Sequence, residues 1–94
     1  MVKKIAWSLL ALDDYKQILE FLLLNWSIQA AEDFQKITEQ KLHLLARFPH
    51  AGTRSPKSNQ FRQLVVTKHN KLIYRVIKDT IYIVEILDTR QKEK

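Results

Sequence analysis

The segment from Leu72 to Leu87 decides the fold of this chain, and it reads LIYRVIKDTIYIVEIL. Two runs rich in β-branched and aromatic residues, 72–78 and 81–87, are separated only by Asp79 and Thr80. A short polar interruption between two such runs is typical of an antiparallel β-hairpin. The segment therefore predicts two paired strands joined by a tight turn.

A third β-favouring run, Phe61–Thr67, lies just before this hairpin and is joined to it by the short connector 68–71. The three runs therefore predict an antiparallel meander. With residues 79 and 80 as the turn, the predicted ladder has three informative pairs. These are Tyr74 opposite Glu85, Arg75 opposite Val84 and Lys71 opposite Asp88.

The residues before the meander predict one strand and two helices. The short β-favouring run Lys3–Trp7 ends at Ser8, a good N-cap, and Ser27 is placed to cap a second helix that Pro49 ends. Apolar residues recur at spacings of three and four in both helices, as in an amphipathic helix. In the first helix they are Ala11, Leu12, Tyr15, Ile18, Leu19, Leu22, Leu23 and Trp26; in the second they are Ile28, Ala30, Ala31, Phe34, Ile37, Leu42, Leu44, Leu45 and Phe48.

The predicted order is β-α-α-β-β-β in a single domain covering residues 1–94. This is an α+β fold in which a helical hairpin packs on a small, mainly antiparallel sheet. We expect Trp7 and Trp26 to anchor the core and His50–Asn59 to form a loop. The predicted ladder makes both faces of the sheet apolar, so either a partner protein covers the second face or the pairing register differs.

Charge is distributed unevenly along the chain. From Gln40 to Lys78 there is no Asp or Glu, although this stretch holds nine of the sixteen Lys and Arg residues. Residues 1–46 carry a net charge of −1, and residues 47–94 carry +7. A basic surface of this kind attracts nucleic acid, an acidic protein or an anionic membrane surface.

Other features exclude several classes of function. The chain has no cysteine, which rules out disulfides and thiolate metal sites and fits a reducing cytoplasm. Three scattered histidines lack metal-ligand spacing, and a single glycine excludes Gly-rich phosphate loops. The longest apolar block, Phe21–Leu24, is far shorter than the roughly twenty residues that span a bilayer. We expect a cytoplasmic protein with no metal, no small-molecule cofactor and no membrane partner.

Cations are the candidate functional groups, because no nucleophile–base pair or paired carboxylates are visible. Arg suits bidentate phosphate contacts, and Lys offers a point charge. Arg75 is singular among them, since a charge in the central strand of the meander needs a partner, a ligand or a path to the sheet edge. The candidates for binding a target or partner are Arg54, Lys57, Arg62, Lys68, Lys71, Arg75 and Arg90. The alternative is that they are solvated surface charges.

Motifs along nearly the whole chain resemble the RelE/ParE superfamily of toxins from type II toxin–antitoxin modules, also called plasmid stabilisation proteins. The motifs are Ile5-Ala6-Trp7-Ser8, Trp26-Ser27 with Phe34, Phe48-Pro49 with Gly52 and Arg54, Phe61-Arg62-Gln63-Leu64, Leu72-Ile73-Tyr74-Arg75-Val76, and Ile83-Val84-Glu85-Ile86-Leu87-Asp88-Thr89-Arg90-Gln91. The resemblance implies a growth-inhibiting toxin with an acidic antitoxin that wraps around it. Such an antitoxin would meet both the basic surface and the apolar second face of the sheet.

The resemblance leaves two activities open. ParE-like members poison DNA gyrase, whereas RelE-like members are ribosome-dependent mRNA endonucleases. A RelE-like reading implies catalysis by Lys68, Lys71, Arg75 and Arg90, but the Tyr or His that such enzymes carry near the C-terminus has no counterpart after Tyr82. We therefore expect ParE-like inhibition of gyrase, and whether the chain is an enzyme stays open with the RelE-like alternative. From another class, a non-toxic basic module that binds nucleic acid or protein is a further alternative.

Overall fold

The computed structural model describes residues 2–56 and 58–88, which form two helices and five strands in one sheet. In chain order the elements are β1 (Lys4–Trp7), α1 (Leu9–Asn25), α2 (Ile28–Arg47), β2 (Thr53–Ser55), β3 (Ser58–Thr67), β4 (Asn70–Ile77) and β5 (Thr80–Asp88). The spatial order is β1-β5-β4-β3-β2, with β1 parallel to β5 and the other pairs antiparallel. The predicted α+β class, with a helical hairpin on a mainly antiparallel sheet, is confirmed.

The prediction of a loop over residues 50–59 is wrong in its second half. Residues 53–55 form β2, and β3 begins at Ser58 rather than at Phe61. β2 exists because it pairs with β3, with Thr53 opposite Gln63. A three-residue edge strand has too little local pattern for its composition to predict it, since its stability comes from this pairing.

The predicted helix boundaries are confirmed. The Ser8 hydroxyl oxygen accepts a hydrogen bond from the backbone N–H of Ala11 at 2.9 Å, and Ser27 does the same for Ala30 at 3.0 Å. Each bond satisfies one of the orphan N–H groups at a helix start. The second helix ends at Arg47, two residues before Pro49.

The core lies between the helical hairpin and one face of the sheet, here called the inner face. Fully buried aliphatic side chains contribute about 1.5–3 kcal/mol each. Trp7 is half-buried with its ring 5.4 Å from that of Tyr15, and Tyr15 in turn lies 5.7 Å from Phe34 across the hairpin. The largest buried residues include Ile18, Leu45, Leu72, Tyr74, Ile81 and Ile83.

The expectation that Trp26 anchors the core is wrong, because its side chain is 69% exposed. Trp26 has φ −127° and ψ −89°, so it leaves the helical path of α1 and the apolar stripe that precedes it. Each helix also buries fewer residues than the apolar periodicity of its sequence predicted. Several stripe members lie exposed, namely Leu12, Leu23, Ile28, Leu44 and Phe48.

The predicted register of the β4–β5 hairpin is also wrong. The turn consists of Lys78 and Asp79, so that Ile77 pairs with Thr80 and Arg75 with Tyr82. Lys78 adopts a φ of 53°, which lies in the left-handed region. Gly or Asn usually occupies this conformation in a tight turn, so the sequence did not mark the turn at Lys78.

A β-bulge adds a second shift within the same hairpin. Tyr74 pairs with Ile83 but Ile73 pairs with Glu85, which leaves Val84 as the extra residue. The bulge reverses the alternation of side chains along β5. For this reason Ile81, Ile83 and Ile86 are all buried on the inner face.

Two contacts from α1 hold the bulge in place. The Ser8 hydroxyl donates to the carbonyl oxygen of Val84 at 2.7 Å. The Asp14 carboxylate accepts from the backbone N–H of Ile86 at 2.9 Å.

Within the described residues, no helix is long and apolar enough to cross a membrane.

Candidate functional site

The face of β3, β4 and β5 that points away from the helices, here called the outer face, is not covered by any described element. One row of side chains crosses it from Phe61 through Arg75 to Tyr82. The Arg75 guanidinium carbon lies 6.0 Å from the centre of the Phe61 ring, and Arg75 pairs with Tyr82 across the β4–β5 ladder. The cation in the central strand is thus flanked by two aromatic rings.

Two further rows lie beside this one. Gln63, Ile73 and Glu85 are opposite one another, as are Val65, Lys71 and Leu87. Together with the β2–β3 corner, these rows line a hollow of about 330 Å³. Glu85 supplies the only carboxylate among the described lining residues, which are Ser55, Pro56, Ser58, Phe61, Gln63, Lys71, Ile73, Val84, Glu85 and Leu87.

The outer face is more apolar than a solvent-facing sheet surface needs to be. Val65, Ile77 and Tyr82 are exposed there, and Ile73 lies on the hollow floor at only 8% exposure. The register that suggested a second apolar face was wrong, which was the alternative explanation, but the observed outer face still exposes these three side chains. An apolar surface that no described element covers is a candidate site for a binding partner.

The cations predicted to bind a target do not form one cluster. Lys71 and Arg75 lie on the outer face, and neither forms an ion pair with a described carboxylate. Lys68 is exposed in the turn between β3 and β4. Lys57 and Arg90 lie outside the described residues.

Arg54 and Arg62 lie on the inner side of the sheet, next to its β2 edge. They are opposite each other in the β2–β3 ladder, and Arg62 also pairs with Tyr74 of the core. Arg54 is exposed, whereas the Arg62 guanidinium donates a 2.8 Å hydrogen bond to the carbonyl oxygen of Gly52. Arg62 thus holds the loop that follows α2, and its cation faces away from Lys71 and Arg75.

Tyr74 fixes the same loop from the core. Its hydroxyl donates to the carbonyl oxygen of Pro49 at 2.8 Å and accepts from the backbone N–H of Gly52 at 3.0 Å. Burial raises the pKa of Tyr74 above its usual value of about 10, while the Gly52 hydrogen bond and the charge of Arg62 act in the opposite direction. The chain's single glycine is required here, because a Cβ on Gly52 would overlap the backbone oxygen of Gln63.

Sequence reasoning missed Phe61, Tyr82 and Glu85 as members of the site. Glu85 reaches this face only through the bulge, because the predicted ladder placed it opposite Tyr74 of the core. Glu85 was nevertheless visible as an acid inside an apolar strand. Chemically, the outer face offers two cations, two ring faces for stacking and one carboxylate as a proton acceptor. No group of three His, Asp or Glu residues placed to hold a metal occurs within residues 2–56 and 58–88.

One family model matches most of the chain. Residues 5–93 match the family model described as the ParE toxin of the type II toxin–antitoxin system parDE. No curated protein matches the chain by sequence.

Solved structures of similar fold come from several bacteria. The chromosomal ParDE toxin–antitoxin system of P. aeruginosa includes a chain with a TM-score of 0.78 and 16% identity, covering 93% of this chain and 96% of that one. A YoeB/ParE toxin from Agrobacterium tumefaciens gives a TM-score of 0.67 and 17% identity, with 90% and 96% covered. The E. coli DinJ-YafQ toxin–antitoxin complex includes a chain with a TM-score of 0.66 and 11% identity, with 100% of both chains covered.

Proposed function

This chain belongs to the ParE toxin family of type II toxin–antitoxin systems, and from this premise we propose that it inhibits DNA gyrase and is neutralised by an acidic antitoxin. The outer face is its working surface. The observation that carries this assignment is the uncovered row Phe61, Arg75 and Tyr82 beside the unpaired cation of Lys71. Apolar area for contact and positive charge for an anionic partner occur on one surface.

The antitoxin is expected to carry the opposite charge. The sequence has a net charge of +6, and no acidic residue occurs between residues 40 and 78. An acidic protein that covered the outer face would compensate this charge and bury the apolar residues that water now contacts. The same acidic protein would exclude gyrase from the face, which explains neutralisation without any change in the toxin's fold.

The proposal is tested with purified chain, gyrase and plasmid DNA. The expected result is an accumulation of gyrase–DNA cleavage complexes, seen as linear DNA after protease treatment. Growth arrest on expression, relieved by the acidic protein encoded in the adjacent reading frame, is expected in bacteria. A chain that arrests growth but leaves gyrase unaffected would refute gyrase as the target and retain the toxin.

A matched pair of variants tests whether the outer face is required for gyrase trapping. The double variant Lys71→Ala and Arg75→Ala removes both outer-face cations, and we expect at least a tenfold loss of gyrase trapping. Arg54→Ala removes an exposed cation from the opposite side of the sheet and should leave trapping unchanged. Equal losses in the two variants would show that overall charge, rather than the outer face, determines activity.

A RelE-like mRNA endonuclease is the second candidate, and the position of Glu85 favours it. A carboxylate in a hollow lined by Lys71 and Phe61 provides a proton acceptor, a phosphate contact and a stacking surface for an unpaired base. In this reading the catalytic cations are Lys68, Lys71, Arg75 and Arg90.

A translation extract separates the two candidates. If the chain is a gyrase inhibitor, mRNA on ribosomes stays intact when the purified chain is added. Cleavage of mRNA that disappears in a Glu85→Gln variant, with gyrase unaffected, would instead establish the nuclease.

A further inference from the structure

The hollow of about 330 Å³ on the outer face gathers three polar side chains around an apolar floor. Gln63 and Glu85 are the cross-strand neighbours of Ile73, one on each side, and Lys71 lies two residues before Ile73 on β4. Adjacent strands are about 4.8 Å apart, so roughly 10 Å separates the backbones of Gln63 and Glu85. The hollow therefore presents hydrogen-bonding groups on three sides of the buried Ile73 side chain.

The polar groups of the hollow do not satisfy one another. No hydrogen bond or ion pair joins the side chains of Gln63, Lys71 or Glu85 to another described residue. Lys71 and Glu85 are diagonal neighbours across the β4–β5 ladder, about 7 Å apart at the backbone, so both can act on one ligand. The matching ligand donates hydrogen bonds to the carboxylate and accepts one from the ammonium group.

Phe61 adds a flat apolar wall to the hollow. Its ring lies 6.0 Å from the Arg75 guanidinium carbon, and Arg75 forms no ion pair with a described carboxylate. A planar ligand can stack on the ring, and the guanidinium suits a phosphate. A cationic ligand such as an arginine side chain fits poorly, because Lys71 and Arg75 together outweigh the single carboxylate. A nucleotide, which joins a neutral planar base to a phosphate, meets all of these requirements.

Guanine is the standard base whose edge matches the polar groups of the hollow. Its N1–H and N2–H donate side by side, which suits the two oxygens of the Glu85 carboxylate, and the neighbouring O6 accepts, which suits Lys71. Adenine and cytosine place a ring acceptor beside their amino group, and uracil and thymine place carbonyl oxygens on both sides of one N–H. Each of these bases would turn a lone pair towards the carboxylate.

We propose that the hollow binds a guanine nucleotide. The base stacks on Phe61, donates N1–H and N2–H to Glu85 and accepts at O6 from Lys71, and the phosphate lies beside Arg75. The inference rests on the outer face being the working surface of the proposed function, but it does not depend on gyrase being the target. A free nucleotide and an unpaired guanine in a nucleic-acid strand both supply this chemistry.

Inosine 5′-monophosphate, which lacks the N2 amino group, is the most direct probe. In calorimetric titrations of the purified chain, guanosine 5′-monophosphate should bind at least about tenfold more tightly than inosine or adenosine monophosphate. The reason is that each of these loses a hydrogen bond to a charged group. Equal binding of the three nucleotides, or no binding, would overturn the proposal.

A matched pair of charge variants tests the carboxylate. Glu85→Gln should weaken binding of guanosine monophosphate at least about tenfold and remove the preference over inosine monophosphate. Glu32→Gln removes the same charge from an exposed position of α2 and should bind as the parent does. Equal affinities of the two variants would contradict the role of Glu85.

A second matched pair tests the aromatic wall. Phe61→Leu should weaken guanosine and inosine monophosphate alike, by about fivefold or more, because it removes the stacking surface but no hydrogen bond. Phe48→Leu, at the exposed end of α2, should change neither affinity. Parent-like binding by Phe61→Leu would overturn the proposed position of the base.

Short DNA strands distinguish the two sources of the nucleotide. Suppose that a thymidine strand with one central guanine binds at least tenfold more tightly than both guanosine monophosphate and the same strand with hypoxanthine. The ligand is then an unpaired guanine in a strand, whereas equal affinity of the guanine strand and the mononucleotide would identify the free nucleotide. A chain that traps gyrase but does not distinguish guanine from hypoxanthine would refute this inference alone. A chain that distinguishes them but leaves gyrase unaffected would refute only the target.

Discussion

The inner and outer faces of the central strands both carry apolar side chains, but they differ in how much of that apolar surface the fold buries. On the inner face, Leu72, Tyr74 and Ile83 are fully buried beneath the helices. On the outer face, Arg75 and Tyr82 of the same two strands remain accessible. Apolar residues on the inner face stabilise the fold, whereas the exposed ones on the outer face, such as Tyr82, contribute little until another molecule covers them. The contrast separates the residues that hold this protein together from those that are available for binding.

Neighbouring residues of β5 give the most direct way to break this comparison. Ile83→Ala should lower the free energy of unfolding by about 2–5 kcal/mol, because it leaves a cavity in the core. Tyr82→Ala should lower it by less than about 1 kcal/mol, since its side chain is 42% exposed. Urea unfolding of the two variants measures both values, and similar losses would mean that the two faces are equally important for stability.

Gly52→Ala tests how tightly the inner side is closed at its β2 corner. The new Cβ would overlap the Gln63 carbonyl oxygen and crowd the Tyr74 hydroxyl, so we expect a loss of about 1–3 kcal/mol in thermal or urea unfolding. Adding Tyr74→Phe should not rescue the variant, because the closer obstacle is backbone. Ala51→Ser, at the exposed neighbouring position, is the control and should change stability by no more than about 0.5 kcal/mol. A neutral Gly52→Ala would show that this corner relaxes.

The two helix caps sharpen the comparison at smaller scale. Ser8 caps α1 and also donates to Val84 in the bulge, whereas Ser27 only caps α2. Ser8→Ala should cost about 1–2 kcal/mol and Ser27→Ala about 0.5–1 kcal/mol, measured by chemical unfolding. Identical losses would indicate that the bond to Val84 contributes nothing to the position of the bulge.

The smallest expected change in the free energy of unfolding comes from removing the Tyr74 hydroxyl, which is hydrogen-bonded to the loop after α2. The pKa of Tyr74 is raised in the folded chain, so its stabilising contribution is fully present below about pH 10 and is lost as pH rises through the folded pKa. Tyr74→Phe should cost about 1 kcal/mol at neutral pH and flatten this alkaline decline. Burial also raises the pKa of Tyr15, which remains in both proteins. Parallel alkaline curves for the two proteins would contradict the assignment to Tyr74.

Local signals in the sequence were enough to predict much of the fold. Ser8 and Ser27 announce the helix starts because capping is a contact between residues three apart. The meander followed from β-favouring runs and short connectors. Features that depend on distant contacts were not predicted. The bulge at Val84 is held by Ser8, 76 positions away, and the edge strand β2 exists only because it pairs with β3.

The candidate site was predicted less well than the fold. Lys71 and Arg75 lie on the face expected to bind a partner, but Arg62 holds the Gly52 carbonyl on the other side of the sheet. Charge alone cannot separate these roles, since strand alternation decides which way a cation points. The turn at Lys78 moves the pairing by two residues and leaves the faces unchanged, whereas the bulge at Val84 moves Glu85 to the face of Ile73.

The parallel pairing of β1 with β5 has a consequence for synthesis. Thr80–Ile83 are translated 76 residues later than their partners Lys4–Trp7. At typical rates of about 5–20 residues per second, β1 stays unpaired for several seconds while the intervening residues are translated. The sheet can close only after β5 has emerged from the ribosome, so a partly made chain has no completed outer face. The outer face, which includes β5, is therefore complete only after all of its strands have been translated.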